Sequence, residues 1–393
     1  MYPARRANRS PAARMLGSAG PVSVCLLVAA LSWGVLDPSR SRRVAYSLLV
    51  AFLWTVSIAA GALLWIALGH LVGARWQVAL RRLAELLTVP LPWLGAGGAL
   101  LLLLPVACGS SLVYGWVGAN AGRAAYLSPW GFAMRGGFYL LVWNACAYYF
   151  RSRSLLQDRS ERSDLVRTLR RASAPALVAL ALTLTFAAID WVMSLDPAWT
   201  STIFGLYFSL GCAVAGLAAL ILLAATLDST QRLGRVLDTR HYHDLGRSLY
   251  TFVLLWAYIG FCQILLVWYA DLPDEMAWLG RRLTGSWKAV SVLLAVVHWA
   301  VPMFGLMPQA AKERPRVLAF WAAWLLLAHY LDLYWLVMPE LSRSGPSMHP
   351  IDIGCFLGFA SGYVALVARA ARRVELLPVG DPRLAAPPGV DQA

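Results

Sequence analysis

The chain has 393 residues, of which 59% are hydrophobic and only 14% charged, with 18 Trp and a net charge of +14. A soluble chain of this length would divide into roughly two or three domains with alternating polar faces, and this composition excludes that. Apolar runs recur from residue 20 to residue 370 with short polar breaks, which predicts one all-α integral membrane domain whose spans each need about 20 apolar residues.

In chain order, "MYPARRANRSPAARMLGSAG" comes first and is basic. With the apolar run behind it, it resembles a secretory signal or, through Arg5-Arg6, a twin-arginine signal. No convincing small-residue cleavage site follows and the later spans need a first anchor, so residues 1–19 read as a retained cytoplasmic tail. Pro, Gly and Arg then punctuate ten spans: 20–37, 44–71, 83–108, 129–150, 173–195, 200–227, 248–270, 286–307, 317–338 and 350–370. Residues 371–393, which include "PVGDPRLAAPPGVDQA", read as a disordered tail.

Basic residues near span ends stay cytoplasmic. With the N-terminus inside, 25 of the 34 Lys and Arg fall on the inner side and 8 on the outer, and Arg135 lies within a span. Both termini are therefore expected in the cytoplasm. The charge is an orientation signal, and "RSRSLLQDRSERSDLVRTLRR" reads as a solvated loop facing membrane lipid and water, with no nucleic-acid partner.

Six Cys stand apart, at 25, 108, 146, 212, 262 and 355, without a C-x-x-C motif. Iron-sulfur clusters and covalent haem need such clustering, so no redox cofactor is expected in this chain. His298 and His329 form the one pair placed for a non-covalent haem, while His241-x-His243 falls in an exposed loop.

Within the segment "FAAIDWVMSLDPAWTSTIF", Asp190 lies near the outer end of the fifth span, which Asp196-Pro197 closes. Thr200 or Ser201 is placed to cap the sixth span, and Trp191 and Trp199 to anchor at the headgroups. A carboxylate about five residues, or roughly 7 Å, inside a span should face the bundle interior, paired or protonated. Arg135, near the outer end of the fourth span, is the evident counter-charge.

The ninth span repeats this in "HYLDLYWLVMP", with Asp332 followed by Trp335, Met338 and Pro339. The two carboxylates are four spans apart, so the halves have equal orientation and predict two four-helix bundles, about 44–195 and 200–338, flanked by the first and tenth spans. His329 and Asp332 share one helix face. With Tyr330, Tyr334 and His298 they can form a proton relay, or equally a buried network that stitches helices together.

Five segments together carry a family resemblance: "GHLVGARWQVALRRLAE", "FAAIDWVMSLDPAWTSTIFGLYF", "RHYHDLGRSLYTF", "LLWAYIGFCQILLVWYADLPDE" and "HYLDLYWLVMP". In order and spacing, from about residue 44 to 360, they resemble the polytopic F subunit, ActF, of bacterial alternative complex III, a relative of the NrfD- and PsrC-like membrane anchors. The resemblance implies a quinol:cytochrome c (or quinol:oxidase) oxidoreductase complex in the respiratory chain. Menaquinol or another quinol would be its substrate, and haem c and iron-sulfur clusters would reside in partner subunits. Those partners would be an NrfD-like C subunit that oxidises quinol, an iron-sulfur subunit and multihaem cytochrome c subunits, and this chain would conduct protons through Asp190, Asp332 and His298. In "YADLPDE" the chain departs from the pattern, which has Asn at Asp271 and Glu at Asp274; both bear on docking to a periplasmic subunit.

Three classes of function follow. The first is a non-catalytic membrane subunit of the oxidoreductase. The second is a chain that itself binds and oxidises quinol, which calls for an open apolar cleft faced by His or Asp. The third is an ion or proton transporter, against which stands the lack of paired, interrupted short spans in inverted halves.

Overall fold

The computed structural model describes residues 11–118, 126–160, 164–230, 232–233 and 236–384. A single residue, Asp37, separates the first two helices, α1 (Pro11–Leu36) and α2 (Pro38–Val72). Its carboxylate accepts the Ser39 N–H at 3.2 Å, and Pro38, which has no N–H to satisfy, opens α2. Gly73, at φ +69°, ends α2 in the left-handed region where a side chain would be strained. The chain returns through α3 (Arg75–Leu87), α4 (Leu91–Gly98), a π-helical turn (Ala99–Leu103) and α5 (Leu104–Ala107). Next come α6 (Pro129–Ser160), α7 (Asp164–Trp191) and α8 (Phe204–Ser229), and then α9 (Thr239–Ala270), capped by Asp238 through the His241 N–H at 3.0 Å. Asp271 closes α9 at φ +48°, a conformation that Asp and Asn tolerate better than most residues.

The remaining elements are α10 (Pro273–Leu283), α11 (Trp287–Leu294), a second π turn (Ala295–Ala300), α12 (Val301–Leu306), α13 (Gln309–Glu313), α14 (Pro315–Val337) and α15 (Pro350–Ala371). Pro105 and Pro302 each follow a π turn closely. A proline removes a backbone donor and crowds the preceding turn, and the wider π turn absorbs both effects.

Eight helical stretches are long and apolar enough to cross a membrane, and the described residues contain no strand. The chain is an all-α, multi-pass membrane protein. Two further long helices fall outside those eight. One is α1, whose apolar part is Ala19–Trp33; the other is α6, 32 residues long but rich in Tyr, Trp and Gly. The near end of the molecule carries the ends of α2 and α15, and the far end carries Asp37, Asp196, Asp271 and Glu340.

Two helices form the axis. α2 packs most heavily on α8, and together they touch α7, α9, α14 and α15, while α1 packs on α15 and α2. On α2 the residues Trp54, Ser57, Gly61 and Trp65 recur at helical spacing and so share one face. Trp54 donates to the Leu326 carbonyl and Trp65 to the Ala213 carbonyl, each at 2.9 Å. Between them Gly61 meets Gly216: a Cβ on Gly61 would stand 1.8 Å from the Cys212 carbonyl oxygen, and one on Gly216 2.4 Å from the Gly61 carbonyl carbon. In a membrane, where hydrophobicity does not drive helices together, such close backbone approach supplies the packing.

Several expectations are corrected. Residues 11–19, read as tail, belong to α1, and residues 1–10 lie outside the described ones. The basic stretch read as a solvated loop is mostly helix: α6 runs on to Ser160 and α7 starts at Asp164, with Ser154 and Gln157 fully buried. Residues 372–384, expected to be disordered, fold against α3 and α6, and 385–393 lie outside the described residues. The physical reason is charge. Asp381 is buried and bridges Arg81 at 2.8 Å and Arg383 at 2.8 Å, while the Gly380 N–H reaches Asp158 at 3.2 Å. Burial pushes the Asp381 carboxyl upward, but Arg383 and Arg81 outweigh that and hold it below the usual carboxylate range. Ser201 does not cap α8, which begins at Phe204; its hydroxyl donates to Gln263 at 2.7 Å.

Candidate functional site

Asp190 lies on the buried face of α7, and Arg135 comes from α6 one packing layer away. Arg135 Nε donates to Asp190 Oδ2 and Nη2 to Oδ1, both at 2.9 Å, a two-pronged pair that fits the planar guanidinium. Tyr139, one turn beyond Arg135, donates to Asp190 Oδ2 at 2.7 Å, and Ser194 donates to the Asp190 carbonyl. Asp190 is fully buried; Arg135 keeps a quarter of its side chain exposed and stacks over Tyr126 at 3.9 Å. Every oxygen of this carboxylate is therefore committed, which makes it a fixed ion pair.

Asp332 is arranged otherwise. It sits on α14 facing α8, and Tyr207 donates to its Oδ1 at 2.5 Å. No Arg or Lys pairs with it among the described residues; the nearest basic group is His329 Nδ1, 3.8 Å from Oδ2. His329 Nε2 lies 2.8 Å from the Ser57 hydroxyl on α2. The ring fits because Gly211 has no side chain, since a Cβ there would come within 3.0 Å of His329 Cε1.

His298 completes the group from the second π turn. Its ring stacks against Trp256 at 3.8 Å and lies 6.3 Å from His329, and both of its nitrogens are buried without a hydrogen-bond partner. A buried polar atom left unpaired is costly and calls for an ordered water or a mobile proton, and π turns recur at functional sites. The cluster can hold and pass a proton along Asp332, His329 and Ser57, with His298 alongside. His329 engages Ser57, and the His298 ring lies against Trp256.

Tyr330 and Tyr334 do not join this cluster. They flank Asp332 two positions away on either side, which turns them to the opposite face of α14. The Tyr330 hydroxyl reaches the Asp352 carbonyl at 3.5 Å and that of Tyr334 the Ser347 carbonyl at 3.2 Å. Trp191 and Trp199, expected at the headgroups, are buried: Trp191 packs on Trp143 and Phe52, and Trp199 stacks on Trp278 at 3.9 Å.

A third polar group holds the far end together. Asp196 pairs with Arg281, and Arg281 and Arg282 each approach Glu340 at 3.5 Å. Arg282 is fully buried over the Trp278 ring at 3.8 Å and donates to the Leu336 carbonyl at 2.8 Å.

Sequence reasoning missed Tyr139, Tyr207, Ser57, Trp256 and the inward turn of Arg282. Tyr139 was within reach, four residues from Arg135 on one helix face. Tyr207 and Ser57 lie 125 and 272 residues from their partners, and no local pattern marks them. Among the described residues no three His, Cys, Asp or Glu gather to hold a metal.

Compared with known proteins, the chain matches no family model and no curated protein. What fold and site define is a class: a polytopic helical membrane protein with ionisable side chains buried within its spans.

Proposed function

We propose that the chain is a membrane subunit of a respiratory quinol:cytochrome c or quinol:oxidase oxidoreductase, of the ActF type, and that it moves protons rather than electrons. The observation that carries this reading is the Asp332, His329, Ser57 and His298 cluster, buried between α2, α8, α14 and the π turn. Ionisable groups inside a bilayer are expensive, and where they lack a fixed countercharge they mark proton paths. The five segments that resemble the ActF subunit support the assignment to a complex. Quinol, haem c and iron-sulfur clusters then belong to that complex, the last two in partner subunits. The resemblance implies a bacterial inner membrane, and the 25 to 8 asymmetry of basic residues favours both termini, and hence the near end, in the cytoplasm.

Purification of the tagged chain from its native membrane in mild detergent tests the reading. It should bring with it polypeptides with c-type haem absorbance and an iron-sulfur protein. A chain that arrives alone and colourless overturns it.

A further inference from the structure

A cleft of about 550 Å3 opens on the flank of the second bundle. Helix α9 packs on α12 and α13 toward the near end and diverges from α11 toward the far end, where α10 bridges the gap. The opening is thus a wedge between α9 and α11, floored by α8 and α14 and closed at its inner end by the second π turn. Its mouth carries exposed apolar side chains, Tyr258, Phe261 and Val292 among them, so it opens sideways to the apolar phase. On α9 the lining runs from Leu254 to Ile264, roughly 15 Å at the helical rise. That is half of the roughly 30 Å hydrocarbon core, the depth of one leaflet.

The walls select against most occupants. A partner's membrane-spanning helix would need a groove through both leaflets, and this wedge ends at mid-depth. The faces of Trp278 are taken by Trp199 at 3.9 Å and Arg282 at 3.8 Å, and a face of Trp256 by His298 at 3.8 Å, which leaves no platform there for a stacked ring. The polar side chains of the lining are engaged elsewhere. Tyr207 donates to Asp332, Gln263 accepts from Ser201, and Ser291 bonds the Arg282 carbonyl and the Trp335 indole. What remains is an apolar slot of one leaflet's depth, open to lipid, which suits a flexible acyl chain.

The rim supplies a place for a headgroup. Lys288 stands one turn before Val292 on the same face of α11, at its far end. It is exposed, and no acidic residue pairs with it among the described residues. The neighbouring cations are spent, Arg281 on Asp196 and Glu340, and Arg282 on Glu340 and the Leu336 carbonyl. On the opposite wall Trp268 follows Ile264 by one turn and is exposed, as an indole at headgroup level is. Asp271 and Asp274 stand at the α9–α10 corner, which leaves the α11 side of the mouth for an anion. An unspent ammonium above an apolar slot is complementary to a phosphate joined to an acyl chain.

We propose that the wedge holds one phospholipid of the far-end leaflet, with an acyl chain between α9 and α11 and its phosphate on Lys288. The lipid fills the gap that the two diverging helices leave and braces one against the other. This site rests on the fold alone and stands apart from the proton-conducting reading.

The test is native mass spectrometry of the full chain, purified in a detergent that strips loosely held lipid and then titrated with palmitoyl-oleoyl phosphatidylglycerol or with the diacylglycerol of the same chains. One phosphatidylglycerol should stay bound, and at a concentration about fivefold lower than the diacylglycerol needs, the preference that one lysine gives an anionic headgroup. Lys288→Gln should remove that preference and Lys288→Arg restore it. Ala257→Phe and Val292→Trp, each of which fills the wedge, should lose the retained lipid while melting at the wild-type temperature. The Lys288 arm needs neither of these variants, because an exposed side chain carries no packing. Lipid retained unchanged in the folded wedge variants, equal retention of the two lipids by the wild-type chain, or a preference that survives Lys288→Gln overturns the proposal. So does a wild-type chain that retains no lipid.

Discussion

Arg135 grips both oxygens of Asp190, at 2.9 Å each, whereas Asp332, four spans later in a matching place, takes the Tyr207 hydroxyl at 2.5 Å and lies 3.8 Å from a histidine, with no Arg or Lys paired to it among the described residues. Two carboxylates that look alike along the chain thus do different work. The first is neutralised by a permanent cation and ties α6 to α7. The second has no such cation paired with it among the described residues.

Removal of either member of the Arg135–Asp190 pair leaves a charge in a bundle that was built for two, at a cost of roughly 3 to 5 kcal/mol. Asp190→Ala and Arg135→Ala should each lower the melting temperature and the folded yield in detergent. The double variant should recover part of both, and strictly additive losses would show that the two are uncoupled.

For Asp332 the informative change is to Asn, which keeps the shape and the hydrogen bond to Tyr207 but cannot titrate. Asp332→Asn should leave melting temperature and haem content of the purified complex near wild type while lowering proton movement per electron in reconstituted vesicles. An unchanged proton yield would return the cluster to a purely structural role. His298→Phe, which keeps the stack on Trp256, is expected to act in the same direction.

At the α2–α8 crossing there is no room for a methyl group. Gly61→Ala should therefore destabilise by about 1 to 3 kcal/mol, as overpacking does, and Gly61→Leu should abolish the folded protein, both read as thermal melting in detergent. Gly137→Ala, at a site where nothing lies within 4 Å of a Cβ, serves as the control and should be nearly silent.

The topology can be checked with a membrane-impermeant thiol reagent on intact cells, after the exposed Cys25 and Cys108 are replaced by Ser. Asp164→Cys at the near end should resist labelling, and Asp274→Cys at the far end should label strongly. The reverse pattern would invert the assignment of the two ends.

The C-terminal segment should respond to acid. Because Asp381 is held below its usual range, its contribution is fully present above the unfolded value of 3.8 and is lost as pH falls through the lower folded value. Hydrogen exchange over residues 376–384 should stay slow from neutral pH to about 5 and speed up only once pH has fallen below the unfolded value of 3.8. Asp381→Asn should show fast exchange at every pH.

The amino-acid sequence by itself determined the membrane class, the rough limits of most of the long apolar helices, and Arg135 as the evident counter-charge for Asp190. Composition and hydropathy suffice for the first two because a bilayer sets the length of an apolar run, and the third follows because neighbouring helices joined by a short connection must lie side by side. Only the tertiary structure decided which polar groups meet across distant helices. Ser57 comes to His329 because glycines at 61, 211 and 216 let α2, α8 and α14 close on one another. Tyr330 and Tyr334, which adjoin Asp332 along the chain, are turned away by the helical repeat. Likewise the buried ion pairs of Arg81 and Arg82 had looked like loop charges, since hydropathy counts each charge as solvated and cannot see the Asp381 and Asp158 that meet them from 300 and 76 residues away.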